Sequence, residues 1–410
     1  MCKKTFDMFH KQISQLFHYG PIIAIFVFLF LCSTINGFNC LLKWFPLNRY
    51  DPLSIINFIV SWFWFIMIFY NYLQCIFRGP GFLPKYWRPE LKEHEKYLQY
   101  CNICKGFKAP RAHHCKTCQR CILKFDHHCP WINTCLGYKN HANFCWFLFS
   151  SILGCIHALS MICPCIYRVL FIPYIPWKNE PRIDFSTNTL LSSILSIGFS
   201  IGVIIALGFL LIIQLKNIIY NRTTIENWIV QKAYHRNQQR LEPFVYPYDL
   251  GLKENIRQVF NWKDSFQLVG DGITWSVRSN CDQYTLTREQ LEQKIDKQQR
   301  SVRYKVIKSY NGAFFPINYD LWTCICIPYL MESRLRISKG DYLLVTRWKE
   351  YWLYGKFIKS DTIIEQFRGW FPRCCVRESM DMNNLWWDTS SIEFSSNLYE
   401  RNDMNMKKLS

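Results

Sequence analysis

CNICKGFKAPRAHHCKTCQRCILKFDHHCPWINTC, residues 101–135, packs seven cysteines and four histidines into thirty-five positions. Structural zinc sites take four Cys/His ligands each, and Cys-x2-Cys pairs present two of them together. Two sites therefore need eight ligands. Cys101, Cys104, Cys115, Cys118, Cys121 and Cys135 with two histidines supply eight, which leaves Cys129 over. That thiol follows Asp126-His127-His128, so an imidazole and a carboxylate are its immediate neighbours. A nucleophilic cysteine needs those partners, because the reactive species is the thiolate and a nearby base makes it cheaper to form. The segment reads as a metal-stapled scaffold presenting one reactive thiol.

The rest of the chain says where that scaffold sits. Half of the 410 residues are hydrophobic, yet mean hydropathy is near zero, so the apolar residues must be segregated. Gly20–Leu42, Leu53–Phe77, Ala142–Leu170 and Leu190–Leu215 are long and nearly uncharged. Each exceeds the roughly 20 residues that cross a bilayer as a helix. The expected fold class is an α-helical polytopic membrane protein with spans at 20–42, 53–77, 142–170 and 190–215. Pro164 within the third run and Pro173 after it predict a bent or early-ending helix. Asn36 and Asn39 sit inside the first run with no small-residue cleavage pattern behind them, so it reads as a retained anchor.

Orientation follows from lysine and arginine in the short connections. Arg78–His141 carries twelve of them, against two in Lys43–Pro52 and three (Arg168, Lys178, Arg182) after the third span. The metal-rich loop, 78–141, and both termini, including residues 1–19, are therefore expected in the cytosol. In a reducing compartment twenty cysteines favour zinc ligation over disulfides. The net charge of +19 lies mostly on this face, where anionic headgroups or a phosphorylated co-substrate meet it.

These residues resemble the DHHC protein S-acyltransferases, membrane enzymes that move fatty acyl groups from acyl-CoA to protein cysteines. The resemblance is carried by Cys101-x2-Cys104, Pro110-Arg111, His114-Cys115-x2-Cys118-x2-Cys121, Asp126-His127-His128-Cys129-Pro130-Trp131, Cys135 and Asn140-x3-Phe144. Thr223-Thr224-Ile225-Glu226 matches a second family motif, and Gly251-x3-Asn255-x3-Val259-Phe260 resembles a C-terminal element. One departure stands out: the family's Asp-Pro-Gly after the second span reads Gly79-Pro80-Gly81, which loses a carboxylate and keeps the turn chemistry.

The resemblance implies two interleaved, closed structural zinc sites: Cys101, Cys104, His114 and Cys121 at one, Cys115, Cys118, His128 and Cys135 at the other. It implies Cys129 as nucleophile, His127 as proton carrier and Asp126 as its orienting carboxylate, in a ping-pong transfer of palmitoyl from palmitoyl-CoA to cysteines of membrane-associated proteins. Lys108, Arg111 and His113 match positions that contact CoA, and Trp131 is placed beside the thioester. Thr224 matches a threonine that hydrogen-bonds the motif's aspartate, and Asn255 a residue that anchors the C-terminal element. Gly154 falls where a side chain from the third span could close the acyl cavity, so a glycine is expected to admit a longer chain.

The C-terminal third is expected to be a polar connector over 216–300, with weak helical patterning at Arg288–Lys297, followed by a β-rich segment at 301–378. Val302–Ile307, Leu343–Thr346 and Tyr351–Lys356 read as strands. Ile337–Tyr342 and Gly369-Trp370-Phe371-Pro372 resemble an SH3-like barrel, although Cys374-Cys375 replaces the usual Asn-Tyr. A regulatory or scaffold role, with a possible partner, is expected of it in preference to binding Pro-rich ligands. Cys324, Cys326, Cys374 and Cys375 read as ordinary buried thiols in preference to acylation sites. Within the tail, 379–410, Lys407-Lys408-Leu409-Ser410 resembles a dilysine retrieval signal, which places the protein in the endoplasmic reticulum membrane. A non-catalytic zinc module on a membrane tether is the competing class. Nucleic-acid binding through basic fingers does not suit a loop held against a bilayer.

Overall fold

The structure, a computed structural model, describes residues 14–41, 52–171, 186–237, 243–261, 268–316, 318–328, 332–359 and 362–379. The first thirteen residues, Pro173 and the tail with its dilysine end lie outside these. The chain divides into two compact units, Met1–Leu291 and Glu292–Ser410.

In the first unit, helices α1 (Tyr19–Leu41) and α2 (Pro52–Phe77) precede the cysteine-rich loop. Helices α3 (His141–Phe171) and α4 (Thr187–Ile219) follow it. Serine 186 caps α4, its hydroxyl accepting the Thr189 N–H at 3.2 Å. Ile55–Phe77, His141–Pro164 and Thr187–Ile219 are long and apolar enough to cross a bilayer, and α1 is apolar over Tyr19–Ile35. Contrary to an early end, α3 continues past Pro164 to Phe171. A proline removes one backbone donor, and a helix otherwise fully propagated tolerates that loss.

The loop contains three two-stranded antiparallel hairpins: β1 (Tyr100–Cys101) with β2 (Gly106–Phe107), β3 (His113–Cys115) with β4 (Arg120–Ile122), and β5 (His127–Cys129) with β6 (Thr134–Leu136). Lys105 and Gln119, each following a Cys-x2-Cys pair, take left-handed φ values of 51° and 53°, which turns the chain around the four ligand atoms. At Gly106 a Cβ would come within 2.7 Å of the Trp87 backbone nitrogen, so only glycine fits between the hairpin and the preceding loop.

After α4 the chain forms α5 (Thr224–Asn237) and α6 (Leu252–Arg257). This region is more than a polar connector. Tyr246, Tyr248, Trp275 and Leu286 are buried in one core with Cys101, Cys104, Ala109 and Leu123. Aromatic side chains bury large areas, so these three, with Leu286, close over a loop whose hairpins are too short to build a core alone. Helix α7 (Thr285–Gln299) covers the predicted helical patterning and runs across the division between the units.

The second unit is a five-stranded antiparallel sheet of β7 (Val302–Val306), β8 (Tyr342–Trp348), β9 (Trp352–Lys359), β10 (Thr362–Pro372) and β11 (Val376–Glu378), in the order β10-β9-β8-β7-β11. Helix α8 (Leu321–Ile325) lies in the connection from β7 to β8. Its core holds Tyr310, Leu343, Val345, Trp352, Trp370 and Phe371. Gly340, at φ 97°, makes the turn into β8, and the Asp341 carboxylate accepts the Ser338 N–H at 2.8 Å. Cys375 is buried, but Cys326 and Cys374 are exposed and Cys324 is half-buried, so burial does not describe all four thiols.

Candidate active site and metal centres

The two ligand sets converge in space. Cys101 and Cys104 Sγ each lie 3.4 Å from His114 Nδ1, and Cys121 Sγ lies 3.8 Å from it. Around His128 Nδ1, Cys118, Cys135 and Cys115 stand at 3.4, 3.5 and 3.8 Å. Within each group every ligand atom lies within 4.8 Å of the others. Tetrahedral zinc, with bonds of about 2.3 Å to sulfur and 2.0–2.1 Å to nitrogen, sets its ligands roughly 3.4–3.8 Å apart. Both donor sets fit that ion, and each is complete with four protein ligands.

The second set belongs to the β5–β6 hairpin, which also carries the remaining cysteine. Residues alternate faces along a strand, so His128 turns to the metal cluster while His127 and Cys129 share the opposite face. Cys129 is 3% exposed and packs with Tyr72, Ile76, Ile132 and Phe144. The imidazole of His127 makes two contacts. Its Nδ1 meets Asp126 Oδ2 at 2.8 Å, and Cys129 stands close enough to favour its charged form.

Asp126 is buried and fully bonded. Its Oδ1 accepts the Thr224 backbone N–H at 2.5 Å and an Asn217 amide proton at 3.3 Å, and Oδ2 accepts from Gln214 at 3.1 Å. Burial opposes its ionisation, but the hydrogen bond and charge of His127 with the Thr224 N–H bring its pKa down to about 2. Burial likewise opposes the imidazolium of His127. The hydrogen bond and charge of Asp126, together with Cys129, outweigh it and raise the pKa to about 9. The arrangement stabilises the imidazolium that forms when the imidazole takes the thiol's proton, which is what thiolate formation requires.

Thr224 does hydrogen-bond Asp126. The structure gives the contact to its backbone N–H, while its hydroxyl accepts from Asn217 at 3.2 Å. The surrounding Thr223-Thr224-Ile225-Glu226 is a capping box. Thr223 Oγ1 accepts the Glu226 N–H at 3.2 Å, and Glu226 Oε2 accepts the Thr223 N–H at 2.8 Å. The same glutamate takes both forks of Arg111, at 2.7 and 2.8 Å, and neither side chain is exposed.

Arg111 is thus placed differently from expectation. Its guanidinium also donates to Asn221 and lies 4.5 Å from the Tyr248 ring centre. Fully buried and with four of its five N–H donors bonded, it ties α5 to the metal loop instead of facing a phosphate. Lys108 and His113 are half-buried and border a small recess together with Gln99 and Thr287. Asn255 is buried, donating to Ile219 O and Asp249 Oδ1, both at 2.7 Å, and accepting the Leu250 N–H at 2.9 Å. It fixes α6 to the end of α4.

Gln214 and Asn217 were not singled out from the sequence. They are polar residues three apart at the end of an apolar helix, and helical spacing puts them on one face. That pair was the available signal.

An apolar cavity of about 380 Å³ runs from Cys129 and Trp131 into the bundle of α1–α4. Trp131 is 51% exposed at its mouth, and the Tyr72 hydroxyl donates to the Trp131 carbonyl at 2.9 Å. Gly154 lies in its wall. A Cβ there would approach Ile68 Cδ1 to 3.0 Å and Trp64 Cβ to 3.4 Å.

Residues 94–231 match the family model described as DHHC palmitoyltransferase. The chain is 43% identical over 387 residues to Palmitoyltransferase ZDHHC6 of Mus musculus, which covers 90% of this chain and 92% of the mouse protein. The Danio rerio protein of the same name is 41% identical over 92% of this chain and 94% of its own. Probable protein S-acyltransferase 16 of Arabidopsis thaliana is 30% identical over 58% of this chain and 82% of the plant protein. A metal-ready loop, a paired Asp-His-Cys and relatives matched almost end to end agree on one conclusion: the chain belongs to the DHHC palmitoyltransferases.

Proposed function

We propose that Cys129 is the acyl carrier of this protein S-acyltransferase, taking palmitoyl from palmitoyl-CoA and passing it to a cysteine of a membrane-associated protein. The observation that carries the reading is the position of Cys129: at one end of an apolar cavity, on the same strand as an imidazole that a buried carboxylate orients.

The Cys129 proton passes to His127, and the thiolate attacks the thioester carbonyl. The carbon–sulfur bond to CoA breaks, and CoA leaves with the proton returned by His127. A substrate thiol then gives its proton to His127 and attacks the acyl-enzyme. Cys129 leaves as the thiol. One thioester replaces another at each stage, so positioning and thiolate activation are the main tasks. Asp126 keeps the imidazole oriented and stabilises its charged form.

Two structural zinc ions, held by Cys101, Cys104, His114, Cys121 and by Cys115, Cys118, His128, Cys135, supply folding energy to a loop with little hydrophobic pattern. Lys108 and His113 are the side chains left to meet CoA phosphates, and Trp131 borders the thioester. Thr224 and Asn255 act as supports, the first through its backbone. The acyl chain lies in the cavity, where burial gains about 0.8 kcal/mol per methylene, and Gly154 leaves the wall open to longer chains.

The protein is a multi-pass membrane protein. The finer reading is four spans at 20–42, 53–77, 142–170 and 190–215, with residues 1–19, the zinc domain at 78–141 and everything from 216 onward in the cytosol. The lysine and arginine asymmetry supports this topology. The dilysine ending supports residence in the endoplasmic reticulum. The sheet at 301–378 is read as an SH3-like barrel with a regulatory or scaffold role toward a partner or regulator. In its favour is strand order; against a Pro-rich ligand is Trp352, which is fully buried and donates its indole N–H to the Thr323 carbonyl of α8 at 3.0 Å.

Purified protein incubated with labelled palmitoyl-CoA is expected to form a hydroxylamine-labile adduct that Cys129→Ser loses, with two zinc ions per chain. No label on the wild type, or full label on Cys129→Ser, would overturn the assignment.

A further inference from the structure

His157 lies on α3, three residues beyond Gly154, and lines the same cavity as Cys129. Ionisable side chains inside a membrane segment are costly and mark functional sites by default. The other polar side chains nearby are spoken for. Ser61 donates to Asn57 O at 2.9 Å and Ser151 to Phe147 O at 2.7 Å, each within its own helix. Among the described residues that line the cavity, His157 Nε2 alone is buried with no hydrogen-bond partner. An orphaned polar atom of this kind asks for a ligand group.

Its depth says which group. Phe144 lies near the reacting end, its ring centre 6.1 Å from that of His127. The helix rises about 1.5 Å per residue, so the thirteen residues from Phe144 to His157 span roughly 20 Å. That is close to the reach of an extended palmitoyl chain anchored at Cys129, so His157 stands where the far end of the chain would arrive. In a neutral imidazole Nε2 is either the donor or the acceptor, and a hydroxyl can answer either. A carboxylate at that depth would be an uncompensated anion.

We propose that His157 is a specificity-determining residue of the acyl cavity, and that it equips the enzyme to accept acyl-CoAs carrying a hydroxyl at the distal end of the chain. The proposal rests on the cavity being the acyl site. A purely apolar pocket rejects an added hydroxyl by up to about a hundredfold, because the hydroxyl is buried unpaired, and a waiting hydrogen-bond partner recovers part of that loss.

The test is competitive loading of Cys129 on the full-length protein in lipid nanodiscs. Palmitoyl-CoA and ω-hydroxypalmitoyl-CoA are mixed, and the two adducts are read by intact mass. Because both are measured in one sample, their ratio does not depend on how much active protein a variant yields. The expected result is that His157→Leu lowers the hydroxypalmitoyl share by about 2- to 10-fold, the worth of one neutral hydrogen bond. α-Hydroxypalmitoyl-CoA, whose hydroxyl lies beside the thioester, is expected to show no such change. If His157→Leu loads neither chain, His157→Phe provides the same comparison. An unchanged ratio in the apolar variant overturns the proposal, as does wild-type rejection of the ω-hydroxy chain by about a hundredfold, the behaviour of a plain apolar pocket. Failure of the wild type to load palmitoyl at all overturns the acyl-site reading beneath it.

Discussion

Arg111 and Glu226 form an ion pair with both side chains fully buried, and such a pair behaves differently from one at a surface. Burial works against the Glu226 carboxylate, and the charge and hydrogen bond of Arg111 overcome it, so its pKa is lowered. Removing one partner leaves the other charge uncompensated, which typically costs 3–5 kcal/mol. Glu226→Gln is therefore expected to lower the midpoint of thermal unfolding by several degrees, and Arg111→Met combined with Glu226→Met to lower it less. A double variant as damaged as the single one would show that the pair does not act as a unit. Lys124 sits beside them, its ammonium 5.5 Å from the Trp275 ring centre. Burial first, and then the charge of Arg111, lower its pKa from 10.5 to about 7, against the opposing pull of Glu226 and Asp126. The unfolded chain holds that proton more tightly, so the penalty is complete below about pH 7 and is relieved as pH rises toward 10.5. Lys124→Met is expected to stabilise the protein more at pH 7 than at pH 10, measured by chemical denaturation at both. A gain that is equal at the two values would assign it to packing alone.

At the scale of elements, the start of α5 does three jobs with four residues. Thr223 and Glu226 cap the helix, Glu226 holds Arg111, and the Thr224 N–H holds Asp126. The last bond belongs to the backbone, so changing the side chain should spare it. Proline is well accommodated at the first position of a helix, where it removes little beyond the N–H. Thr224→Pro is expected to slow Cys129 loading by about tenfold or more, since hydrogen bonds to charged groups contribute about 1.5–3 kcal/mol. Thr224→Ala is expected to cost far less. Equal losses would return the role to the hydroxyl. This element shows how far the sequence could be read. Helices α1–α4, the ligand-bearing hairpins and β7–β9 announce themselves by hydropathy, cysteine spacing and β-branched runs. The identity of a hydrogen-bonding atom does not, because Thr224 reads the same whether its hydroxyl or its amide makes the contact. Arg111 misleads for a related reason: a basic residue in a basic loop looks like a phosphate contact until its partner, 115 residues away, is brought beside it.

Across the whole molecule, the metal loop and the segment after α5 share one core while the C-terminal sheet has its own. Tyr246, Tyr248, Trp275 and Leu286 pack with the ligand cysteines Cys101, Cys104 and Cys121. The sheet's core, built around Trp352, Trp370 and Phe371, contains none of the eight ligands. This division was hidden in the sequence because 216–300 is polar on average, and four widely spaced aromatic and leucine side chains leave no periodic trace. It has a consequence for metal removal. Short hairpins hold too little apolar surface to persist without a staple, and structural zinc contributes folding energy outright. Stripping the metal should therefore release the hairpins and also the segment that closes over them. After treatment with a strong chelator, hydrogen exchange is expected to accelerate in 100–136 and in 243–286 together, while β7–β11 keep their protection. Restoring two equivalents of zinc should recover both regions in step, because they share side chains. Rapid exchange in the hairpins with 243–286 still protected would mean that the aromatic cover folds without the metal loop, and the shared core would then be two.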